Sequence, residues 1–147
     1  DQGVEDAAIL LMSLGEEEAS EVFKHLQPKE VQKLGETIAK LNHLYERFNA
    51  RDVEAVLAAM QPDVEWGNST QGGHLVGHDA VRAYWTSQWA EIAPILIPEH
   101  FSTDGLGRVV IEGRLRVRDR SGTLLADSRV KHAYTLKDGL VQRMDVL

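Results

Sequence analysis

Six apolar residues, Val31, Leu34, Ile38, Leu41, Tyr45 and Phe48, follow one another at steps of three, four, three, four and three. That stepping puts all six on one face of an α-helix and predicts a continuous helix from about Pro28 to about Phe48. The helix constrains the fold because the chain changes character across it. Before it the apolar residues recur at helical spacing. Well after it they alternate with charge at every second residue. One helix must therefore serve two kinds of structure.

Upstream, Val4, Ala7, Ala8, Leu11 and Met12 predict a first helix, stopped by Gly15. Ala19, Val22, Phe23 and Leu26 predict a second, with Glu16, Glu17 and Glu18 where a helix N-terminus favours negative charge. Pro28 suits the first turn of the third. Gly35 within it costs about 1 kcal/mol relative to alanine.

The phrases AAILLMSLGEEEASEV, the EVQKL turn into the third helix and the closing AKL resemble the N-terminal domain of FliG, the flagellar rotor switch family. The resemblance assigns residues 1–41 to a three-helix segment. In that family the domain binds the C-terminal tail of the membrane-ring protein FliF and continues into a further helix, which this chain lacks.

Downstream, Asp52 is an N-cap candidate for a short helix through Val53, Val56, Leu57 and Met60 that ends near Pro62. Val64-Glu65-Trp66 alternates as a strand. Gly72-Gly73 is a turn, and residues 79–92 form another helix. From Ile95 onward the chain reads as β. Val109, Ile111, Leu115 and Val117 alternate with Glu112, Arg114, Arg116 and Arg118; Ala126, Ser128, Val130, His132, Tyr134 and Leu136 alternate with Asp127, Arg129 and Lys131. Ser121-Gly122 and Asp138-Gly139 are hairpin turns. The sheet should carry helices on one face and a charged, solvated face with cross-strand ion pairs on the other.

The strings YERFNARDVEAVLAAMQPDVEW, GHDAVRAYW and HAYTLKDGLV resemble the SnoaL-like branch of the NTF2-like superfamily, over residues 42–147. That resemblance implies an α+β fold: a cone in which a curved antiparallel sheet wraps helices around an inner pocket. The N-terminal helices would extend it by sharing the long helix. A relative, ketosteroid isomerase, uses a tyrosine on the first helix, a base aspartate after the first strand and a second aspartate on a later strand. By motif these fall on Leu44 (with Tyr45 one step off), on Asn68 and near His132. Asparagine cannot abstract a proton, so isomerase chemistry is not expected. His132, between Val130 and Tyr134 on an apolar strand face, is the remaining catalytic candidate. The expected pocket lining is Leu44, Tyr45, Phe48, Trp66, Asn68, Trp85, Trp89, His100, His132, Tyr134 and Met144. His74 and His78, in or beside a glycine-rich loop, are expected to be exposed.

Composition sets the outer limits. Residues 1–41 carry nine acids and four lysines, and the whole chain has net charge −7, which argues against binding nucleic acid through its phosphates. Cysteine is absent, so disulfide and thiolate chemistry are excluded. No membrane span, metal or cofactor is expected, and a cytoplasmic, recombinant protein is. The favoured reading is an engineered chimera, a scaffold whose hydrophobic pocket takes a small hydrophobic ligand without turnover, and which can form a homodimer through the outer sheet face. The alternatives are a lyase or isomerase of SnoaL or ketosteroid isomerase type acting on a hydrophobic ring compound, and a flagellar rotor interaction module.

Overall fold

The computed structural model describes residues 28–68 and 72–147. The two helices expected before Pro28 lie outside the described residues. The stepped helix is present as α1, Pro28–Asn49, and is unbroken between Leu41 and Tyr45. Leu34, Ile38, Leu41, Leu44, Tyr45 and Phe48 are all buried along it. Each such side chain removed from water contributes about 1.5–3 kcal/mol, so this face anchors the fold.

The end of α1 is fixed by backbone geometry. Asp52 N–H donates to the Arg47 carbonyl at 2.9 Å and Arg51 N–H to that of Phe48 at 3.0 Å. Arg51 itself takes a left-handed conformation with φ 64°. This is the helix-stop arrangement that glycine usually completes. Asp52 then caps α2, Val53–Leu57, by accepting from Ala55 N–H at 3.2 Å.

The short helix is shorter than its apolar spacing suggests. Met60 opens strand β1, Met60–Gly67, instead of closing α2. The reason is tertiary: the Ala59 carbonyl accepts the Val141 N–H at 2.9 Å, which starts a ladder there. Pro62 lies inside β1, where the register with the neighbouring strand shifts between Met60 and Glu65, so its missing N–H interrupts no regular pairing.

The remaining elements are β2 (His74–Val76), α3 (His78–Glu91), β3 (Ile92–Thr103), β4 (Val109–Asp119), β5 (Leu124–Lys137) and β6 (Leu140–Val146). They form one six-stranded sheet in the order β2-β1-β6-β5-β4-β3. All neighbours are antiparallel except β1 and β6, which run parallel. The Asp138-Gly139 turn has positive φ at both residues, 53° and 78°, the two-residue geometry that matches strand twist.

Helices α1 and α3 pack on the inner face. Asn49 ties α1 to edge strand β3, donating to the Leu96 carbonyl at 2.8 Å and accepting its N–H at 2.9 Å. The outer face carries the expected ion pairs: Arg114 and Arg116 each lie 3.5 Å from Asp127, and Lys131 lies 3.4 Å from Glu112. The inward alternation of β5 fails over its first half, where Leu124 to Arg129 are all exposed. The β4–β5 hairpin runs past the helices there, so Ala126 and Ser128 have nothing to pack against.

Candidate functional site

A cavity of about 210 Å³ lies between α1, α3 and the inner face of the sheet. Its wall is aromatic because five rings, those of Phe48, Trp66, Tyr84, Trp85 and Trp89, converge from three elements. Phe48 ends α1, Trp66 ends β1, and Trp85 and Trp89 are one turn apart on α3. Phe48 and Trp66 each meet Trp85 edge-on at 5.3 Å, and Trp85 stacks with Trp89 at 5.9 Å. Strands β3 and β4 close the cavity with Pro94, Leu96, Leu115 and Val117, and Val130, His132 and Met144 complete it.

The residues of this wall include no aspartate or glutamate. Its one ionisable imidazole, His132, is 8% exposed. His132 Nδ1 lies 2.9 Å from the Tyr45 hydroxyl, and the Tyr134 hydroxyl donates to Tyr45 at 2.8 Å. Both tyrosines are buried and no more than 3% exposed. The arrangement that leaves no buried hydroxyl proton unpaired runs Tyr134 to Tyr45 to His132 Nδ1. His132 then carries its own proton on Nε2, as a donor.

Burial sets the charge of this group. Desolvation lowers the His132 pKa from 6.5 to about 4, so the ring is neutral near pH 7. Burial raises both tyrosines above their ordinary value. No member of the relay is ionised at neutral pH. The Trp89 indole N–H is also buried without an acceptor.

Among the expected pocket residues, Phe48, Trp66, Trp85, Trp89, His132 and Met144 line this cavity. Tyr45 and Tyr134 stand behind His132 rather than in the wall. Leu44 faces a separate groove of about 280 Å³ between α1, α2 and the β5–β6 hairpin. That groove is larger but its polar side chains, Lys40 and His43, are exposed, and it contains no buried polar group. Asn68 is buried outside the wall. Its backbone closes the β1–β2 turn, donating to Gly73 at 3.0 Å and accepting from Gly72 at 2.9 Å.

His100 is not in the cavity. Pro94 and Leu96 line it, and continued alternation would bring His100 in as well. A bulge between Pro98 and His100 adds a residue and reverses the phase. His100 therefore pairs with Glu112 on the outer-facing register, and Phe101 turns inward, 4% exposed. A Cβ at Gly113, opposite Pro98, would collide with the Ile97 carbonyl, so the close approach at this bend requires glycine. His74 and His78 are half-buried and partnered rather than free in solvent. His74 Nε2 lies 2.9 Å from Asp145 Oδ1, and His78 Nε2 lies 3.1 Å from the Met60 carbonyl.

No group of three or more potential metal ligands is assembled among the described residues. No helix among them is long and apolar enough to cross a membrane.

The SnoaL-like domain pattern matches residues 41–144, and the fold described above is the one that pattern implies. The chain belongs to the SnoaL-like domain family. Its N-terminal part also matches the FliG N-terminal domain over residues 2–76. The two matches overlap within the end of α1, α2, β1 and β2, all of which are built into the SnoaL-like sheet and its helices. The flagellar motor switch protein FliG of Vibrio cholerae is 41% identical over 63 residues, which are 43% of this chain and 17% of that protein. The chain thus spans less than a fifth of the curated relatives it matches. An NTF2-like protein of unknown function from Burkholderia pseudomallei superposes with TM-score 0.66 at 29% identity, covering 76% of this chain and 89% of that one. TerC, co-crystallised with polyporic acid, gives TM-score 0.66 at 29% identity over 76% and 90%. A Mycobacterium tuberculosis protein in complex with estradiol-17beta-hemisuccinate gives TM-score 0.65 at 20% identity over 76% and 92%, a likeness of fold.

Proposed function

We propose that this domain binds a small, flat, largely apolar ligand and does not turn it over. The observation that carries the reading is the cavity wall: five aromatic rings and a neutral, donor-oriented His132, with no carboxylate. Such a wall desolvates a ring system at little cost and fixes its orientation through one hydrogen bond. The ligand should present an acceptor oxygen to His132 Nε2–H, because a buried donor left unpaired costs about 1–3 kcal/mol. Fold relatives solved with polyporic acid and with an estradiol derivative support a ligand of ring type. Proton abstraction has no evident base. The position corresponding to the isomerase base is Asn68, which lies outside the wall, and His132 is a weak base at a pKa of about 4.

The reading extends to the origin of the chain. We propose a FliG-like segment, residues 1–41, spliced by design onto a SnoaL-like domain, residues 42–147, inside one helix. Two unrelated family patterns that share residues 41–76, with no linker between them, support it. The segment should have lost FliF binding, since it lacks a helix of its parent domain. The exposed Ile95 and Ile97 on the outer face favour pairing with a second copy.

The test is a fluorescent hydrophobic ligand titrated alongside a steroid isomerisation assay. Saturable binding without turnover is expected. Turnover that vanishes in His132→Ala would make the isomerase or lyase reading the better one. Micromolar binding of a FliF C-terminal peptide would favour the flagellar reading.

A further inference from the structure

We propose that Arg51 and Arg120 form a carboxylate-binding collar at the Trp89–Ile92 end of the cavity, so that the preferred ligand is an amphiphilic acid. Its ring system would occupy the cavity and its carboxylate would lie between the two guanidinium groups. The proposal rests on the binding reading above and adds the charge of the ligand.

Arg51 holds the left-handed position at the end of α1, where glycine is unstrained and arginine is not. Its side chain folds back over the wall. The guanidinium carbon stands 5.4 Å from the Trp89 ring centre and 5.9 Å from that of Phe48, and Nη1 donates to the Phe48 carbonyl at 3.4 Å. Arg120 reaches the same place from the β4–β5 turn, donating to the Trp89 carbonyl at 3.0 Å. Asp119, the residue before it, pairs with Ile92, which lines the cavity. Gln88, Trp89, Ile92 and Val117 make this end of the wall half-exposed, so a ligand can leave a polar group outside.

Charge and place together set these two residues apart. Arg82, Arg108, Arg114, Arg116, Arg129 and Arg143 each face a carboxylate. Among the described residues Arg47, Arg51, Arg118 and Arg120 make no ion pair with a carboxylate, and of these Arg51 and Arg120 are the two that bond the Phe48 and Trp89 carbonyls at the end of the cavity. Burial first, and the repulsion of Arg120 second, lower the Arg51 pKa from its ordinary value. In a chain of net charge −7 this is a local positive site left open. A planar carboxylate offers both guanidiniums the charge-assisted hydrogen bonds they lack.

The experiment titrates a naphthalene carboxylate and the matching carboxamide against the full chain and against Arg51→Gly, Arg120→Gln and the double variant. The carboxylate should bind about tenfold more tightly than the amide to the unaltered protein, and lose that advantage as salt is raised. Both single variants should narrow the gap, and the double variant should abolish it, with the carboxylate losing far more affinity than the amide. Arg51→Gly should melt no lower than the parent, since φ 64° suits glycine. Equal affinity of the two probes for the unaltered protein overturns the collar and leaves the cavity reading intact, as does a carboxylate preference that survives in the double variant. Failure of both probes to bind overturns the cavity reading and the collar together.

Discussion

The two faces of the sheet each hold a histidine, one buried beside a tyrosine and one half-buried beside a carboxylate, and they treat it in opposite ways. On the inner face His132 stands in an aromatic wall and meets the uncharged Tyr45 hydroxyl, which in turn accepts from Tyr134. On the outer face His74 joins Asp145, which also takes Arg143 at 3.0 Å and Arg108 at 3.4 Å, while Arg143 reaches Glu65 at 3.1 Å and Arg108 reaches Asp104 at 2.7 Å. This network covers Val110 and Ala133, which are buried although they sit on the outer register. The contrast shows what each face is organised to do. The outer network pairs its charges with one another across the sheet surface. The inner relay spends its polar groups on orienting one imidazole and leaves a donor to offer.

The largest effect should come from opening the aromatic wall. Trp85 touches Phe48, Trp66 and Trp89 and is 4% exposed. Trp85→Ala should cost about 3–5 kcal/mol in denaturant unfolding and abolish ligand binding. A loss below about 1 kcal/mol would show that the wall does not stabilise the fold, and the contrast between faces would collapse.

The two faces should also fail at different pH. His132 has a folded pKa of about 4 against an ordinary 6.5, so the unfolded chain takes up its proton first. Its contribution is complete above pH 6.5 and declines as pH falls toward 4, by about 3 kcal/mol in all. His132→Gln should flatten stability over that window. Asp145 acts in the same sense but over a lower window and for a different cause. Desolvation raises its pKa, but hydrogen bonds from Arg143 and His74 outweigh that and hold it below 3.8. Its contribution persists through the histidine window and is lost only as pH falls below 3.8. Urea titrations at stepped pH should resolve the two regimes. A single acid transition common to parent and His132→Gln would contradict the separation.

The smallest effect is expected on the outer face. Arg116 is 46% exposed and 3.5 Å from Asp127. Arg116→Ala should change stability by less than about 1 kcal/mol, with the difference shrinking in salt. A larger, salt-insensitive loss would mean that this face is covered, as pairing with a second copy would make it.

What the sequence revealed, and what it hid, divides along the same physical line. Short-range periodicity exposed the whole of α1, both hairpin turns and the ion-paired register of β4 and β5, because each is decided by neighbours three, four or two residues apart. It also placed Phe48, Trp66, Trp85, Trp89, His132 and Met144 on inward positions. Features decided by distant parts of the chain were invisible. The relay joins Tyr45 to residues 87 and 89 positions away. The bulge that turns His100 outward arises from the fit of β3 to Gly113. The partner of His74 lies 71 residues along the chain. Nor does periodicity show that the first half of β5 extends beyond the helices, since its pattern is as regular there as within the core.

The central claim is that His132 is held neutral, with its proton on Nε2, by a donor chain from Tyr134 through Tyr45. Nitrogen-15 imidazole spectra of the protein followed from pH 7.5 to 3.5 test it directly. The account predicts an Nε2–H tautomer at neutral pH and a midpoint near 4, with the tautomer preference lost in Tyr45→Phe. A ring that titrates near 6.5, or that carries its proton on Nδ1 at neutral pH, would contradict it.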